Sequence, residues 1–262
     1  MAPIKPVMAF LTMKGGVGKT TLAANLTRAM ADVEKRKILL IDADAQCNLS
    51  QLFYSAEEFD TGSTRTIYDA LAGHKIMTPG DLKRQIYKNE KNGSEIDFIC
   101  GSFETFGLAV KASYLVERRT SERFRAFIRH AQREYDIVAI DTNPSATLVT
   151  MHALEVSNFL VAPITFDKYS MRGVHLITSL LSKKHSWLKD PLRVRIVPNR
   201  IKKPYGETEE RRLDEAQQRV RDAFPDLSRS IVPTYIRQFY YLSCPKKIPE
   251  HLWRTCGPTL VD

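Results

Sequence analysis

Short apolar runs alternate with amphipathic stretches along this chain of 262 residues, and the alternation predicts strands separated by helices. The apolar runs expected to form strands lie at residues 7–12, 37–42, 96–100, 136–141, 159–163 and 193–198, with a weaker run at 230–232. The stretches with helical spacing lie at residues 20–33, 66–72, 120–134, 148–156, 172–184 and 207–223. Strand–helix units that repeat in this way are typical of a doubly wound α/β fold. We therefore expect a mostly parallel sheet with helices on both faces.

The length and composition of the chain favour one domain over residues 1–262. A chain of this size buries a single substantial core, and contents of 43% hydrophobic and 26% charged residues are ordinary for a globular protein. Residues 54–94 are polar, so we expect surface excursions there, around the short helix at 66–72 and a loop at Asn92-Gly93. Only thirteen residues precede the glycine-rich segment described next, so we expect no N-terminal helix-turn-helix domain.

The segment Lys14-Gly15-Gly16-Val17-Gly18-Lys19-Thr20-Thr21 follows the first apolar run and precedes the first helical stretch. A strand, a glycine-rich turn and a helix in this order bring backbone N–H groups and a helix N-terminus onto a phosphate. Glycines let the backbone curve around the anion without a Cβ in the way. Lys19 is then expected to reach the β- and γ-phosphates of a nucleotide, and Thr20 to ligate Mg²⁺. The segment, called the phosphate loop below, departs from the usual G-x-x-x-x-G-K-[ST] pattern because Met13 replaces its first glycine.

The phosphate loop contains two lysines, Lys14 and Lys19, and this pair indicates a particular class of nucleotide-binding loop. With a lysine at its front, the loop resembles the deviant Walker A loop of the ParA/MinD family of P-loop ATPases. The resemblance implies ATP and Mg²⁺ as cofactors and a slow, partner-stimulated hydrolysis of ATP. It also implies that Lys14 reaches the nucleotide of a second copy when ATP closes a homodimer. The loop residues that it assigns to the cofactor are Gly15, Gly16, Val17, Gly18, Lys19, Thr20 and Thr21.

A pair of carboxylates follows the second predicted strand. The sequence Asp42-Ala43-Asp44-Ala45-Gln46 resembles the first switch of the same family, D-x-D-P-Q, with Ala45 in place of the proline. Carboxylates just beyond a strand end, beside bound phosphate, can support Mg²⁺ and orient an attacking water. By this resemblance, Asp44 orients the attacking water and Asp42 supports Mg²⁺ indirectly. The catalytic residues that the resemblance implies are Lys14, Lys19 and Asp44.

The apolar run at 136–141 ends in Asp141, which is the Walker B arrangement of a strand terminated by aspartate. Placed after a phosphate loop, such a carboxylate is expected to accept a hydrogen bond from a Mg²⁺-bound water. The metal residues expected from the sequence are therefore Thr20, Asp42 and Asp141. The continuation Thr142-Asn143-Pro144-Ser145 resembles the second switch of the family, D-[TC]-P-P-S, with Asn143 in place of the first proline.

Three later segments also resemble parts of the family. Asn199 follows the run at 193–198, where the family carries an asparagine on the adenine edge, and Pro233 lies where a family segment packs beside the purine. Pro163 and residues 169–173 resemble a stretch that contributes to the dimer interface.

The charge of the chain favours a polyanionic partner. There are 39 Lys and Arg against 30 Asp and Glu, a net charge of +9 and a pI near 9.4. Residues 193–254 contain fourteen Lys or Arg and eight Asp or Glu. The family resemblance implies non-specific DNA binding, and the candidate contacts are Arg219, Arg221, Arg237, Lys246 and Lys247. Residues 248–262 contain Pro249, Gly257 and Pro258, which interrupt an amphipathic helix, so we expect no membrane attachment.

Three interpretations follow from these observations. The first is an ATPase that partitions or positions a plasmid, a chromosome or another cargo, with a ParB-like or other adaptor protein that stimulates hydrolysis. The second is an ATP-gated dimer that recruits a secretion, conjugation or polysaccharide complex without moving DNA. The third is a small-molecule enzyme of the same fold class. No apolar stretch has the length of a membrane span, and residues 1–6 lack the core of a signal peptide, so we expect a cytoplasmic protein. The DNA binding that the family resemblance implies adds the expectation that it is nucleoid-associated.

Overall fold

Seven strands form one sheet in the computed structural model, which describes residues 5–55, 57–58, 64–110, 114–145, 147–165, 167–182, 185–190, 192–200, 207–232 and 236. The strands are β1 Val7–Phe10, β2 Lys37–Ala43, β3 Arg84–Lys88, β4 Glu95–Ile99, β5 Ile137–Thr142, β6 Phe159–Ile164 and β7 Val194–Pro198. Their order across the sheet is β3-β4-β2-β5-β1-β6-β7, and all neighbours are parallel except β3 and β4. The chain starts in the middle of the sheet and builds outward in both directions, which confirms the predicted doubly wound fold.

Helices cover both faces of this sheet. The α-helices are α1 Lys19–Glu34, α2 Ile67–Ala72, α3 Pro79–Leu82, α4 Thr105–Val110, α5 Tyr114–Glu134, α6 Leu148–Val156, α7 Lys168–Leu181 and α8 Glu207–Ala223. Short 3₁₀ segments lie at Ser50–Leu52, Ser186–Lys189 and Pro225–Ser230. No helix in the described ranges has the length and apolar character needed to cross a membrane.

Strand β2 shows why the apolar runs are continuous. Ile38 and Leu40 pack with α1 on one face, whereas Leu39 and Ile41 pack with α5 and α6 on the other. All four side chains are fully buried. Because successive side chains of a strand point to opposite faces, a strand covered on both sides needs apolar residues at every position.

The strand order brings the predicted polar residues to one edge of the sheet. Strand β5 lies between β1 and β2, and Asp42 and Asp141 are register partners on neighbouring strands. The phosphate loop follows β1 at the same edge. In a parallel sheet the carboxyl ends of the strands meet there, which is where doubly wound folds bind ligands.

The expectation of surface excursions over residues 54–94 was wrong in part. Helix α2 and the loop at Asn92-Gly93 were predicted, but α3 and strand β3 were not, and Ile67, Leu71 and Leu82 contribute to the buried core. Strand β3 is an antiparallel edge strand in which Tyr87 is buried and Arg84, Gln85 and Lys88 are exposed. Edge strands keep charged side chains, so their sequences read as polar.

The weak strand predicted at 230–232 is reduced to a single bridge between Ile196 and Ile231. The preceding residues form the 3₁₀ segment Pro225–Ser230, which takes Ser230 out of the predicted extended run. Two further helical features were not predicted. They are helix α4 and the first turns of α5, which begins at Tyr114 rather than at 120.

Candidate nucleotide site

The phosphate loop has the backbone that its glycines permit. Gly16 and Gly18 adopt φ of 76° and 84°, in the left-handed region that favours glycine. A Cβ on Gly18 would lie 2.5 Å from Asn199 Nδ2, whereas one on Gly15 would meet no atom within 4 Å. Helix α1 begins at Lys19 with no side-chain cap and no acidic residue in its first turn. Its first N–H groups are therefore available to an anion.

Three predicted residues meet at the base of the phosphate loop. The Lys19 ammonium donates to Asp141 Oδ1, and Thr20 Oγ1 donates to Asp141 Oδ2 over 2.7 Å. Lys19 is 6% exposed and Asp141 is fully buried. Burial raises the pKa of Asp141, and the Lys19 ammonium and the Thr20 hydroxyl oppose that rise.

This donor set suits a phosphate group with Mg²⁺. A buried lysine and a helix N-terminus attract phosphate oxygens, while a hydroxyl and a carboxylate are the oxygen groups that Mg²⁺ accepts directly or through water. The described ranges contain no group of three or more His, Cys, Asp or Glu that could hold a metal by itself. Mg²⁺ typically takes one or two protein carboxylates and completes its shell with phosphate and water.

Asp42 is held away from bulk water. Its Oδ2 accepts from the Ser50 N–H at 2.9 Å and from Ser50 Oγ at 2.7 Å, and its Oδ1 accepts from the Asp44 N–H at 3.1 Å. Complete burial and the nearby Asp141 carboxylate raise the pKa of Asp42 to about 7, although these hydrogen bonds favour the ionised form. Ser50, which the sequence analysis did not single out, therefore fixes the orientation of this carboxylate. The role of Asp42 in supporting Mg²⁺ stays a prediction.

Asp44 joins the two switch segments. Its Oδ1 accepts from the Gln46 N–H at 2.9 Å and from the Asn143 side-chain amide at 2.8 Å. Asn143 Oδ1 in turn accepts from the backbone N–H of Ser145 at 2.9 Å and from its hydroxyl. Asp44 is 3% exposed. The sequence marked Asn143 as a departure from the family pattern but did not predict this contact.

Asn199 fastens strand β7 to the phosphate loop. Its buried side-chain amide donates to the Val17 carbonyl at 2.8 Å. The neighbouring Arg200 has a φ of 58°, and its guanidinium donates to the Gly16 carbonyl. The structure thus places Asn199 at the loop, and its contact with adenine stays a prediction. Pro233, the other predicted base contact, lies outside the described residues. Arg200 was missed by the sequence analysis, although it directly follows Asn199.

Lys14 lies on the exposed side of the loop and pairs with Asp167. The Lys14 Nζ to Asp167 Oδ2 distance is 2.9 Å, and the side chains are 44% and 30% exposed. Asp167 also caps helix α7, accepting from the Ser170 N–H at 2.9 Å. Partial burial raises the pKa of Asp167, but hydrogen bonds from Thr165, Lys14 and Ser170 outweigh it and hold the pKa well below its usual range. No signal in the sequence pointed to this pair.

The predicted DNA contacts are only partly described. Arg219 lies 3.8 Å from Glu215, and Arg221 donates to the Ser228 carbonyl at 3.1 Å, so both have partners on α8 or just after it. The other candidates, Arg237, Lys246 and Lys247, lie outside the described residues. Helix α5 adds a basic surface that the sequence analysis did not identify. The exposed residues of this surface that form no ion pair within the described ranges are Arg119, Arg129 and Arg133.

Comparison with known proteins agrees with this geometry. A family model described as an AAA domain (AAA_31) matches residues 5–194. The chain is 29% identical over 177 residues to a virulence plasmid ParA family protein of Chlamydia psittaci, covering 67% of this chain and 62% of that protein. It is 29% identical over 181 residues to the sporulation initiation inhibitor protein Soj of Bacillus subtilis, covering 68% and 66%. The chain spans less than two thirds of the length of these curated relatives.

A solved structure of pNOB8 ParA bound to nonspecific DNA has the same fold, with a TM-score of 0.68 and 19% identity over 96% of this chain and 91% of that one. The family match, the phosphate loop and the strand order agree. The chain belongs to the AAA_31 family, within the ParA/MinD family of P-loop ATPases.

Proposed function

We propose that this protein is a ParA-like ATPase that dimerises on ATP, binds DNA without sequence preference, and partitions or positions a plasmid, a chromosome or another cargo. The observation that carries the proposal is the contact of Lys19 and Thr20 with the buried Asp141 at the end of the phosphate loop. Those three side chains come from the loop and from the neighbouring strand β5, at the edge where doubly wound folds bind ligands.

The hydrolysis is assigned to the residues that surround this contact. The backbone of the phosphate loop and the Lys19 ammonium bind the phosphates, and Thr20 and Asp141 hold Mg²⁺ with support from Asp42. Mg²⁺, when bound, neutralises charge on the phosphate oxygens. Asp44 accepts a hydrogen bond from the attacking water and so orients it. Asn199 and Pro233 contact the base.

The proposed output is a dimer that rides on DNA in the cytoplasm, associated with the nucleoid. Lys14 is exposed beside the loop, where it can leave Asp167 and reach the nucleotide of a second copy. The basic surface of α5 and the C-terminal candidates Arg219, Arg221, Arg237, Lys246 and Lys247 supply cations for DNA phosphates. A ParB-like or other adaptor protein stimulates hydrolysis and releases the dimer.

A second candidate is the ATP-gated recruiting dimer, which binds a protein complex and does not transport DNA. One observation favours it. Phe103, Phe106 and Val110, in and just before α4, are 74%, 58% and 71% exposed. Large apolar side chains grouped on a surface are typical of contacts with another protein. Tight binding to a protein partner with no affinity for DNA would support this candidate.

The test is binding to random-sequence duplex DNA with ATP, with ADP and without nucleotide. We expect binding only with ATP, and roughly a tenfold or greater loss of affinity between about 50 and 200 mM salt, because cations on the protein release counterions from DNA. Lys19→Ala should lose both nucleotide and DNA binding. Lys88→Ala, which removes the same charge at the opposite edge of the sheet, is the matched control. Equal DNA binding in all three nucleotide states would contradict the proposal.

A further inference from the structure

We infer that Asn143 is a positioning residue for Asp44. Its side-chain amide holds one oxygen of the Asp44 carboxylate, so that the other oxygen is presented to the attacking water. The inference rests on the proposed ATPase function, because it concerns the residue assigned to that water. Asn143 itself contacts neither phosphate nor water in this scheme; it acts through Asp44.

The two carboxylate oxygens of Asp44 differ in their hydrogen bonds. Oδ1 accepts from both the Gln46 N–H at 2.9 Å and the Asn143 amide at 2.8 Å, while no described residue donates to Oδ2. Two donors on one oxygen fix the rotation of the carboxylate. The remaining lone pairs on Oδ2 are then directed by the fold and stay available to water. A positioned acceptor of this kind loses no orientational freedom when the reaction begins.

Asn143 is itself held in place, which a useful positioning group requires. Its carbonyl oxygen accepts from the Ser145 N–H at 2.9 Å and from the Ser145 hydroxyl, which leaves the amide nitrogen pointing at Asp44. The carbonyl oxygen of the Asn143 side chain therefore closes the turn with Ser145, and its amide nitrogen donates to Asp44. These partners determine which side-chain atom of Asn143 is nitrogen and which is oxygen, because the carboxylate only accepts and the Ser145 N–H only donates.

The two departures of this chain from the switch patterns of the family meet at Asp44: Asn143 donates to its carboxylate, and Ala45 follows it in the chain. Ala45 replaces a proline in the first switch, and Asn143 replaces a proline in the second. A proline fixes the backbone beside it, and its loss leaves the segment freer to move. A proline at 143 also has no side-chain donor. With alanine at position 45, the backbone next to Asp44 is less restricted than it would be with proline. The hydrogen bond from the Asn143 amide restricts Asp44 instead.

The experiment measures single-turnover ATP hydrolysis and, separately, ATP affinity in Asn143→Ala. Misplacing a catalytic group by about 1 Å costs up to a hundredfold, so we expect hydrolysis to fall roughly ten- to a hundredfold with ATP affinity changed less than about twofold. Asn143→Gln keeps an amide donor and should recover part of the rate. Asn92→Ala is the matched control: Asn92 Oδ1 accepts from the N–H and the hydroxyl of Ser94 in the same way, but in the β3–β4 hairpin. It should hydrolyse ATP at the wild-type rate.

A double-mutant cycle separates positioning from a general structural effect. If Asn143 acts through Asp44, then Asn143→Ala should lower the rate in the wild-type background but not in Asp44→Ala. Additive losses in the cycle, a wild-type rate in Asn143→Ala, or a loss of ATP affinity equal to the loss of rate would each overturn the inference. Should Asn143→Ala fail to fold, the same cycle is run with Asn143→Gln and Asn143→Ser. Absence of hydrolysis in the wild-type protein would overturn the proposed function as well, so the two failures are distinguishable.

Discussion

Gly18 illustrates how closely single residues of the phosphate loop are constrained by the rest of the fold. Its φ of 84° excludes most side chains, and the site of a Cβ is occupied by the Asn199 amide at 2.5 Å. Asn199 in turn holds the Val17 carbonyl. The glycine is therefore needed for two separate reasons, a backbone conformation and a close approach of strand β7 to the loop.

Gly18→Ala should destabilise the protein and weaken ATP binding. The left-handed backbone alone costs a residue with a Cβ about 1–2 kcal/mol, and the contact with Asn199 adds to that cost. Unfolding in urea and ATP titration measure the two effects. Gly107→Ala is the control, since a Cβ there meets no atom within 4 Å and the residue lies in helix α4. It should raise the free energy of unfolding by about 0.5–1 kcal/mol. Equal stability of Gly18→Ala and wild type would contradict the strain argument.

At the scale of elements, a buried polar contact joins two helices that cover the sheet. His152 of α6 lies 2.9 Å from Thr120 Oγ1 of α5, and it is 3% exposed. Burial lowers the pKa of His152, although Glu155, at 3.7 Å from Nδ1, opposes the shift. The folded protein therefore keeps this imidazole neutral at pH values where the unfolded chain protonates it.

The contribution of His152 to the stability of the protein should fall as the pH drops below about 6.5, the ordinary pKa of histidine. The unfolded chain then binds a proton that the folded protein binds only at a lower pH. The contribution is fully present above about pH 6.5 and is lost as the pH falls through the lowered folded pKa. The raised pKa of Asp42 changes stability in the opposite direction over the same range, so the effect of His152 is read from a comparison with a variant. Urea midpoints at about pH 7.5 and about pH 5.5 measure it. On acidification, the wild-type midpoint should fall more, or rise less, than that of His152→Gln, which cannot titrate. An equal change in both proteins would contradict this assignment.

Elements differ in how well the sequence predicts them, and the difference follows from burial. Strand β2 was predicted because both of its faces are covered, so every position is apolar. Strand β3 was missed because an edge strand exposes Arg84, Gln85 and Lys88. Helix α4 was missed because it is short and carries exposed Phe106 and Val110. A regular spacing of apolar residues predicts a strand or a helix only where the packing of that element buries a regular set of its side chains.

At the scale of the whole molecule, the proposed cycle depends on hydrolysis to end the dimeric state. Asp44 is 3% exposed, is hydrogen-bonded to Asn143 of the second switch segment, and interacts electrostatically with Asp141 of strand β5. Removing its carboxylate leaves Lys19, Thr20 and Asp141 in place. Loss of the Asp44 carboxylate is therefore expected to slow ATP hydrolysis while ATP binding is retained.

Asp44→Ala should bind ATP, accumulate as a dimer and hydrolyse ATP roughly a hundredfold more slowly, since an oriented acceptor for the attacking water is lost. Light scattering with ATP and with ADP measures the dimer, and phosphate release measures the rate. Asp190→Ala is the control, because its carboxylate pairs with Arg193 before strand β7, at the opposite edge of the sheet. Wild-type turnover in Asp44→Ala would refute the assignment of this residue.

The sequence by itself determined the fold class and the place of the phosphate loop. Both depend on local order along the chain: apolar runs of strand length, helical spacing, and glycines between a strand and a helix. The location of Lys19, Thr20 and Asp141 at one edge of the sheet was also expected from the sequence, because parallel strands bring their carboxyl ends together there.

Only the tertiary structure decided which partner each polar side chain takes. Asp42 faces Ser50, Asn199 faces the Val17 carbonyl, and Asn143 reaches Asp44 across 99 positions of the chain. Such pairs depend on strand order, register and loop conformation, which place residues that are distant in sequence within 3 Å of each other. No local pattern carries that information, because the same short polar segment can satisfy its hydrogen bonds in many ways until the surrounding strands and helices leave one.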